Sequence, residues 1–232
     1  MWSNFGQQIY DNIVKDGRYM LYLEGLGNTL IITLGAAILG IFLGTLVAIC
    51  KVYAKDNKAL RPLEILCDVY LTVIRGTPMM VQVMIFAFVV FASVGFESMV
   101  YVAMLAFGIN SGAYVAEIVR AGIQAVNIGQ TEAGRSLGLT KNMTMRYIVI
   151  PQAVKNILPA LANEAIVLFK ETAIVGYIAI KDLTYAATLI RSRTYSALVP
   201  LLFIALIYLA VVMLMTWGLR KLERRLGKSD KR

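Results

Sequence analysis

Apolar and polar positions along the chain separate into long charge-poor stretches joined by short polar ones. Residues 28–50, NTLIITLGAAILGIFLGTLVAIC, carry no charge. Further apolar stretches follow at about residues 63–94, 99–119, 157–180 and 196–219, the second interrupted by the run Arg75, Gly76, Thr77, Pro78. A helix needs about 20 residues to cross the hydrocarbon of a bilayer, so each stretch is long enough. The pattern predicts an all-α integral membrane protein with about five transmembrane helices. Residues 1–24 are mixed and amphipathic and predict a segment lying at the membrane surface, ahead of a membrane domain over residues 25–220. A polar island at residues 129–152, GQTEAGRSLGLTKNMTMRYIVIPQ, separates the third span from the fourth.

Charge enters the picture through its placement. The first loop carries Lys51, Lys55, Lys58 and Arg61, the island region carries Arg120, Arg135, Lys141, Arg146 and Lys155, and residues 221–232 form a basic tail. The second loop has only Glu97, while the fourth has Lys181, Arg191 and Arg193. The excess of Lys and Arg on cytoplasmic loops of membrane proteins places the N-terminus outside, and the C-terminus and the island in the cytoplasm. The fourth loop weakens that bias without reversing it.

Composition then removes several function classes. The chain is 59% hydrophobic and 16% charged, against about 25% charged for a soluble domain. Its net charge of +9 flanks apolar segments and does not form the basic, aromatic-rich face that nucleic acid requires, so no nucleic-acid partner is expected. The absence of histidine excludes histidine-based zinc motifs, triads and relays. Gly227-Lys228-Ser229 fails as a phosphate-binding loop because Leu222 stands where the first glycine belongs; a nucleotide would have to bind another chain. Cys50 and Cys67 read as small apolar residues. No metal site and no cleavable signal segment is expected. An intramembrane enzyme would need a nucleophile paired with a base, and the spans offer none.

Within the island, Gly134 and Gly138 lie four apart and predict a shared glycine face on a short helix, with Ala133 and Leu137 as an adjoining apolar strip and Glu132 paired with Arg135. Two helix-interior glycines cost roughly 1 kcal/mol each, which a mere linker does not explain and a tight docking element does. Pro151 and Pro159 are expected to restrict the chain before it re-enters the membrane. Gly40 and Gly44 in the first span form a weaker small-residue pair suited to a helix contact.

The island resembles the EAA signature of ABC importer permeases, E-A-A-x-x-x-G-x9-I-x-L-P, through Glu132, Ala133, Gly134, Gly138, Ile148 and Pro151, with Gly134 in place of alanine and Ile150 in place of leucine. RGTPMMVQ at 75–82, AYVAEIVRAGIQAV at 113–126 and LANEAIVLFKETAIVGYIAIKDL at 161–183 are similar to the polar amino-acid permeases of the histidine, glutamine and arginine uptake type. The resemblance covers the chain from about residue 20. It implies that residues 127–151 form a cytoplasmic coupling segment whose Glu132, Ala133, Gly134 and Gly138 seat in an ATPase subunit. It further implies two ATPase copies, a second permease copy or paralogue, an extracytoplasmic binding protein, an amino-acid substrate and a place in the bacterial cytoplasmic membrane. This chain would hold no cofactor, ATP and Mg belonging to the ATPase.

Ionisable side chains inside a membrane cost about 2.5–3.5 kcal/mol each on insertion scales and mark function by default. Glu164 and Glu171 are seven apart on span four, beside Asn163 and Lys170; Asn110, Ser111, Tyr114, Glu117 and Arg120 line span three. For an imported amino acid, Asn163 and Glu164, backed by Ser111 and Tyr114, are the expected substrate contacts, with Asn110, Glu117 and Glu171 also on the path. Asp68, Arg75, Glu117, Arg120 and Lys170 are equally suited to pairing among themselves to hold helices together. An autonomous channel or ion-coupled transporter would explain the intramembrane charges but not the island.

Overall fold

The computed structural model describes residues 5–54 and 58–229. Residues 1–4, 55–57 and 230–232 lie outside the described residues, and with them Lys55 of the first loop and Lys231 and Arg232 of the basic tail. The described residues form helices joined by short turns, without a strand. In chain order the helices are α1 Phe5–Ile9, α2 Tyr19–Ala54, α3 Arg61–Gly76, α4 Met79–Ile85, α5 Met99–Gln124, α6 Ile128–Ser136, α7 Lys141–Thr144, α8 Ile150–Glu171, α9 Leu183–Thr194 and α10 Leu198–Ser229. Three helices, Tyr19–Ala54, Phe96–Gln124 and Leu198–Leu226, are long and apolar enough to cross a membrane, and five spans result if each of two bent pairs counts as one.

The expected boundaries move where local chemistry allows a helix to continue. Left-handed Asp16 and Gly17 break the N-terminal segment, and α2 begins at Tyr19, so residues 19–24 belong to the first long helix and not to a separate surface helix. At 36 residues α2 is about 54 Å long, well beyond the roughly 30 Å of hydrocarbon. The second apolar stretch is broken between Arg61–Gly76 and Met79–Val90. Pro78 has no amide hydrogen and holds extended backbone, and buried Gln82 staples the break by donating to the Thr77 carbonyl at 3.1 Å and its hydroxyl at 2.7 Å.

Pro151 and Pro159, expected to restrict the chain ahead of the fourth span, both lie within the single helix α8. A wider π-turn at Met145–Val149 leads directly into α8, and such a turn absorbs the hydrogen bond that a proline cannot make. Residues 181–195, expected as a loop, are mostly helix α9. Asp182 Oδ1 caps it by accepting from Tyr185 N at 2.7 Å, and Leu183, Ala186, Ala187 and Ile190 are buried. The tail expected from residue 221 continues α10 as helix to Ser229.

The chain forms two compact units. The first comprises Met1–Ile38, Thr77–Gly108 and Ile166–Thr216. Its core brings Ile32 and Ala36 of α2 against Val83, Phe107, Leu168 and Val175. A second cluster packs Tyr22 with Leu183, Ala187 and Ile190, the Tyr22 ring meeting Phe203 edge-on at 4.8 Å. The second unit comprises Leu39–Gly76, Ile109–Ala165 and Trp217–Arg232. Here α2 and α5 approach backbone to backbone: a Cβ on Gly44 would lie 2.5 Å from the Gly112 carbonyl oxygen, and one on Gly40 would lie 2.9 Å from Ser111 Cβ. The glycine pair in the first span is therefore a helix contact. Lys51 at the end of α2 bridges to Asp68 of α3 at 2.6 Å.

Large apolar side chains also cover the outside. On α2, Leu34, Ile38 and Phe42 are each more than 60% exposed, as are Leu206, Met213, Leu214 and Trp217 on α10. Continuous apolar faces of this kind suit lipid, not water. Gly44→Ala is expected to destabilise the fold by about 1–3 kcal/mol by overpacking against backbone, whereas Gly27→Ala, with nothing within 4 Å of its Cβ, should be neutral. Thermal unfolding of the detergent-solubilised chain checks this, and equal midpoints for the two variants would contradict the close contact.

Candidate functional site: a polar row and a capped polar helix

The polar row on α5 falls at helical spacing, and each member meets a defined neighbour within the second unit. Ser111 is 1% exposed and sits beside the glycine face of α2. Its hydroxyl donates to Glu164 Oε1 of α8 at 3.0 Å. One turn along, the Arg75 guanidinium of α3 lies 5.7 Å above the Tyr114 ring and 3.8 Å from Glu117 Oε2. Arg120 engages both oxygens of Glu117 and donates to Gln124 at 2.6 Å. Asn110 is buried, and the neighbouring Ile109 carbonyl accepts from the Tyr70 hydroxyl at 2.6 Å.

This geometry divides the predicted residues. Ser111 and Glu164 come together as a part-buried hydroxyl–carboxylate pair joining α5 to α8. Glu117 is held by two guanidinium groups, so its charge is engaged in tying α3 to α5. Of the residues expected to pair among themselves, Arg75, Glu117 and Arg120 do so, while Asp68 takes Lys51. Asn163, Lys170 and Glu171 lie on α8 as exposed side chains. Sequence reasoning missed Tyr70, whose hydroxyl pins α3 to the α5 backbone; its only signal was a lone tyrosine among aliphatic residues on α3.

The island folds into two capped turns. Asn127 Oδ1 accepts from Gly129 N at 2.8 Å and starts α6, and the Thr140 hydroxyl accepts from Met143 N at 3.3 Å to start α7. The two glycines do not share a helix face. Gly134 is buried inward, where a Cβ would lie 2.7 Å from Thr144 Cγ2 and 2.9 Å from Ile148 Cδ1. Gly138 lies beyond the helix end with φ +82 and nothing within 4 Å. It closes α6, because Leu139 N donates to Gly134 O at 3.1 Å and Gly138 N to Arg135 O at 3.0 Å, the paired closure that a left-handed glycine permits. Nor does Arg135 pair with Glu132: its guanidinium donates to the Leu139 carbonyl at 3.1 Å. The tight contact inferred from glycine spacing is thus made inside the chain. The outward surface is instead Ile128, Glu132, Ala133 and Leu137, with Leu137 81% and Ile128 70% exposed.

Comparison with known proteins shows the family. Residues 40–228 match the family model described as binding-protein-dependent transport system inner membrane component. The arginine transport system permease protein ArtQ of Bacillus subtilis strain 168 is 40% identical over 209 residues, spanning 90% of this chain and 93% of that protein. The putative glutamine transport system permease protein GlnP of Rickettsia bellii is 38% identical over 220 residues, 94% of this chain and 99% of that one. The crystal structure of an amino acid ABC transporter with histidines superposes with a TM-score of 0.81 at 43% identity, covering 89% of this chain and 94% of that one. A MetNI methionine ABC transporter in inward facing conformations shares the fold, with a TM-score of 0.75 at 19% identity. The chain belongs to the family of binding-protein-dependent transport system inner membrane components: it is a transport permease of an ABC importer, not an enzyme, and works with a separate ATPase subunit.

Proposed function

We propose that this chain forms the translocation path of an importer for polar amino acids and that Glu164, aimed by Ser111, contacts the substrate. The observation that carries the site is the Ser111–Glu164 hydrogen bond of 3.0 Å; relatives named for arginine and glutamine transport over nine tenths of the chain support the substrate class. A carboxylate attracts an α-amino group or a cationic side chain, and a charged hydrogen bond of this kind contributes about 1.5–3 kcal/mol. Asn163, Tyr114, Asn110 and Glu171 are proposed along the same path, and Glu117 at its ion-paired edge.

The assembly proposed around it has a second permease copy or paralogue, two ATPase subunits holding ATP and Mg, and an extracytoplasmic binding protein. The membrane domain begins with α2, residues 127–151 form the coupling segment, the segment before α2 lies on the extracytoplasmic side and the basic end of α10 lies in the cytoplasm. ATP binding draws the ATPase subunits together, and the exposed face of Glu132, Ala133 and Leu137 transmits that motion, so that a separate motor shifts the population between inward and outward states. In proteoliposomes of the full complex, labelled arginine, glutamine or histidine should accumulate while a neutral sugar does not. Sugar uptake at a comparable rate, with no amino acid taken up, would contradict the substrate class.

A further inference from the structure

We infer that Arg75 recognises the α-carboxylate of the transported amino acid. That role rests on the reading that Glu164 meets the α-amino group, and it completes the same site, because a zwitterion carries two charges and an acidic side chain answers only one. The residues concerned all belong to the second unit. Ser111 donates to Glu164 Oε1 at 3.0 Å, and Tyr114 lies under the Arg75 guanidinium at 5.7 Å. These two are three residues apart on α5, so they are neighbours on the helix surface. At about 1.5 Å of rise per residue they stand roughly 4.5 Å apart along its axis. An acidic and a basic group thus follow one another along a single row, as an amino acid requires.

The ion pairs of the row single out Arg75 and not Arg120. Glu117 lies between the two guanidinium groups, and Arg120 hydrogen-bonds both of its oxygens. Arg75 stands 3.8 Å from Glu117 Oε2, beyond the roughly 3.2 Å reach of an N–H···O hydrogen bond. One carboxylate therefore faces two cations, and Arg75 is the more loosely held. Its side chain is 42% exposed, within reach of a small solute. Its position does not depend on Glu117. The Tyr70 hydroxyl, five residues earlier on α3, donates to the Ile109 carbonyl at 2.6 Å, and the Tyr114 ring seats the guanidinium by cation–π attraction. Arg75 also lies in the last turn of α3, where the helix dipole favours a cation. A guanidinium seated over a ring can still present its edge, the fork that takes a carboxylate in two parallel hydrogen bonds.

The test measures equilibrium binding of arginine, glutamine and histidine, each beside its own α-amide, to the purified permease–ATPase complex without a binding protein. The amide keeps the α-amino group and the side chain and lacks the negative charge. The unaltered complex should bind at least one of these amino acids roughly 10- to 100-fold more tightly than its amide, the difference made by a charge-assisted pair. Arg75→Gln should weaken that amino acid by the same factor, leave the amide unchanged and so erase the preference. Arg75→Lys keeps a charge beside Glu117 but not the fork; it should retain only part of the preference, and it serves as the test if the glutamine variant fails to fold. Glu164→Gln should weaken the amino acid and its amide alike and keep the preference. A full preference in Arg75→Gln, or in Arg75→Lys where that is the variant that folds, would overturn the role of Arg75 and leave the contact at Glu164 standing. Binding of none of the three amino acids by the unaltered complex would overturn both.

Discussion

Glu164→Gln should lower amino-acid uptake by roughly 10- to 100-fold while the assembled complex stays intact. The amide keeps an acceptor for the Ser111 hydroxyl at the position where the carboxylate oxygen now accepts at 3.0 Å, so packing survives and only the negative charge is lost. The fold-change corresponds to about 1.5–3 kcal/mol for a hydrogen bond to a charged group. Glu164→Ala should do at least as much, but it also strands a hydroxyl that is 1% exposed, and leaving a buried donor unpaired costs about 1–3 kcal/mol of stability. The amide variant is thus the sharper test. Ser111→Ala, which leaves the charge but not its aim, should cost only a few-fold. Uptake by Glu164→Gln at the unaltered rate, with ATPase activity unchanged, would move the substrate contact elsewhere on α8, with Glu171 the next candidate.

The second large effect belongs to the coupling segment. Leu137→Asp should abolish co-purification of the ATPase, or reduce it more than tenfold, without altering insertion or thermal stability. The reasoning is that Leu137 is 81% exposed at the C-terminal end of α6 and contributes nothing to this chain's own core. Gly138→Val acts differently. A β-branched residue at φ +82 carries a penalty of roughly 1–2 kcal/mol or more, and it undoes the two hydrogen bonds that close α6 on the Gly134 and Arg135 carbonyls. That variant should fray the segment as well as weaken docking, and faster local hydrogen exchange would reveal it. If Leu137→Asp retained the ATPase in full, the exposed face of α6 would not be the docking surface.

These two sites show where a sequence speaks and where it falls silent. The all-helical type and the long apolar stretches were legible because lipid demands long apolar helices, and the break at Pro78 announced itself through a residue with no amide hydrogen. The pairing of Ser111 with Glu164 was also within reach, since rare polar groups inside a membrane have few partners available. Helix ends were not. Whether Pro151 ends a helix depends on whether the preceding turn can widen, and residues 145–149 show no sign of it in composition. The glycines of the island were the instructive error. Spacing alone cannot tell a glycine required for a close neighbour from one required for its φ: Gly134 serves the first need, against Thr144 and Ile148, and Gly138 the second. The exposed apolar position fell instead to Leu137, named at first only as part of an adjoining strip. The Lys51–Asp68 bridge was hidden for another reason, because the same lysine counts equally well as a loop charge that sets orientation.

The central claim is that this chain supplies a path moved by a separate ATPase. Its most direct test is uptake of a labelled amino acid into liposomes. The chain reconstituted with its ATPase and binding protein should accumulate substrate only with ATP, and the chain reconstituted alone should accumulate none. Substrate-specific accumulation by the chain alone, driven by an ion gradient without ATPase or ATP, would contradict the account.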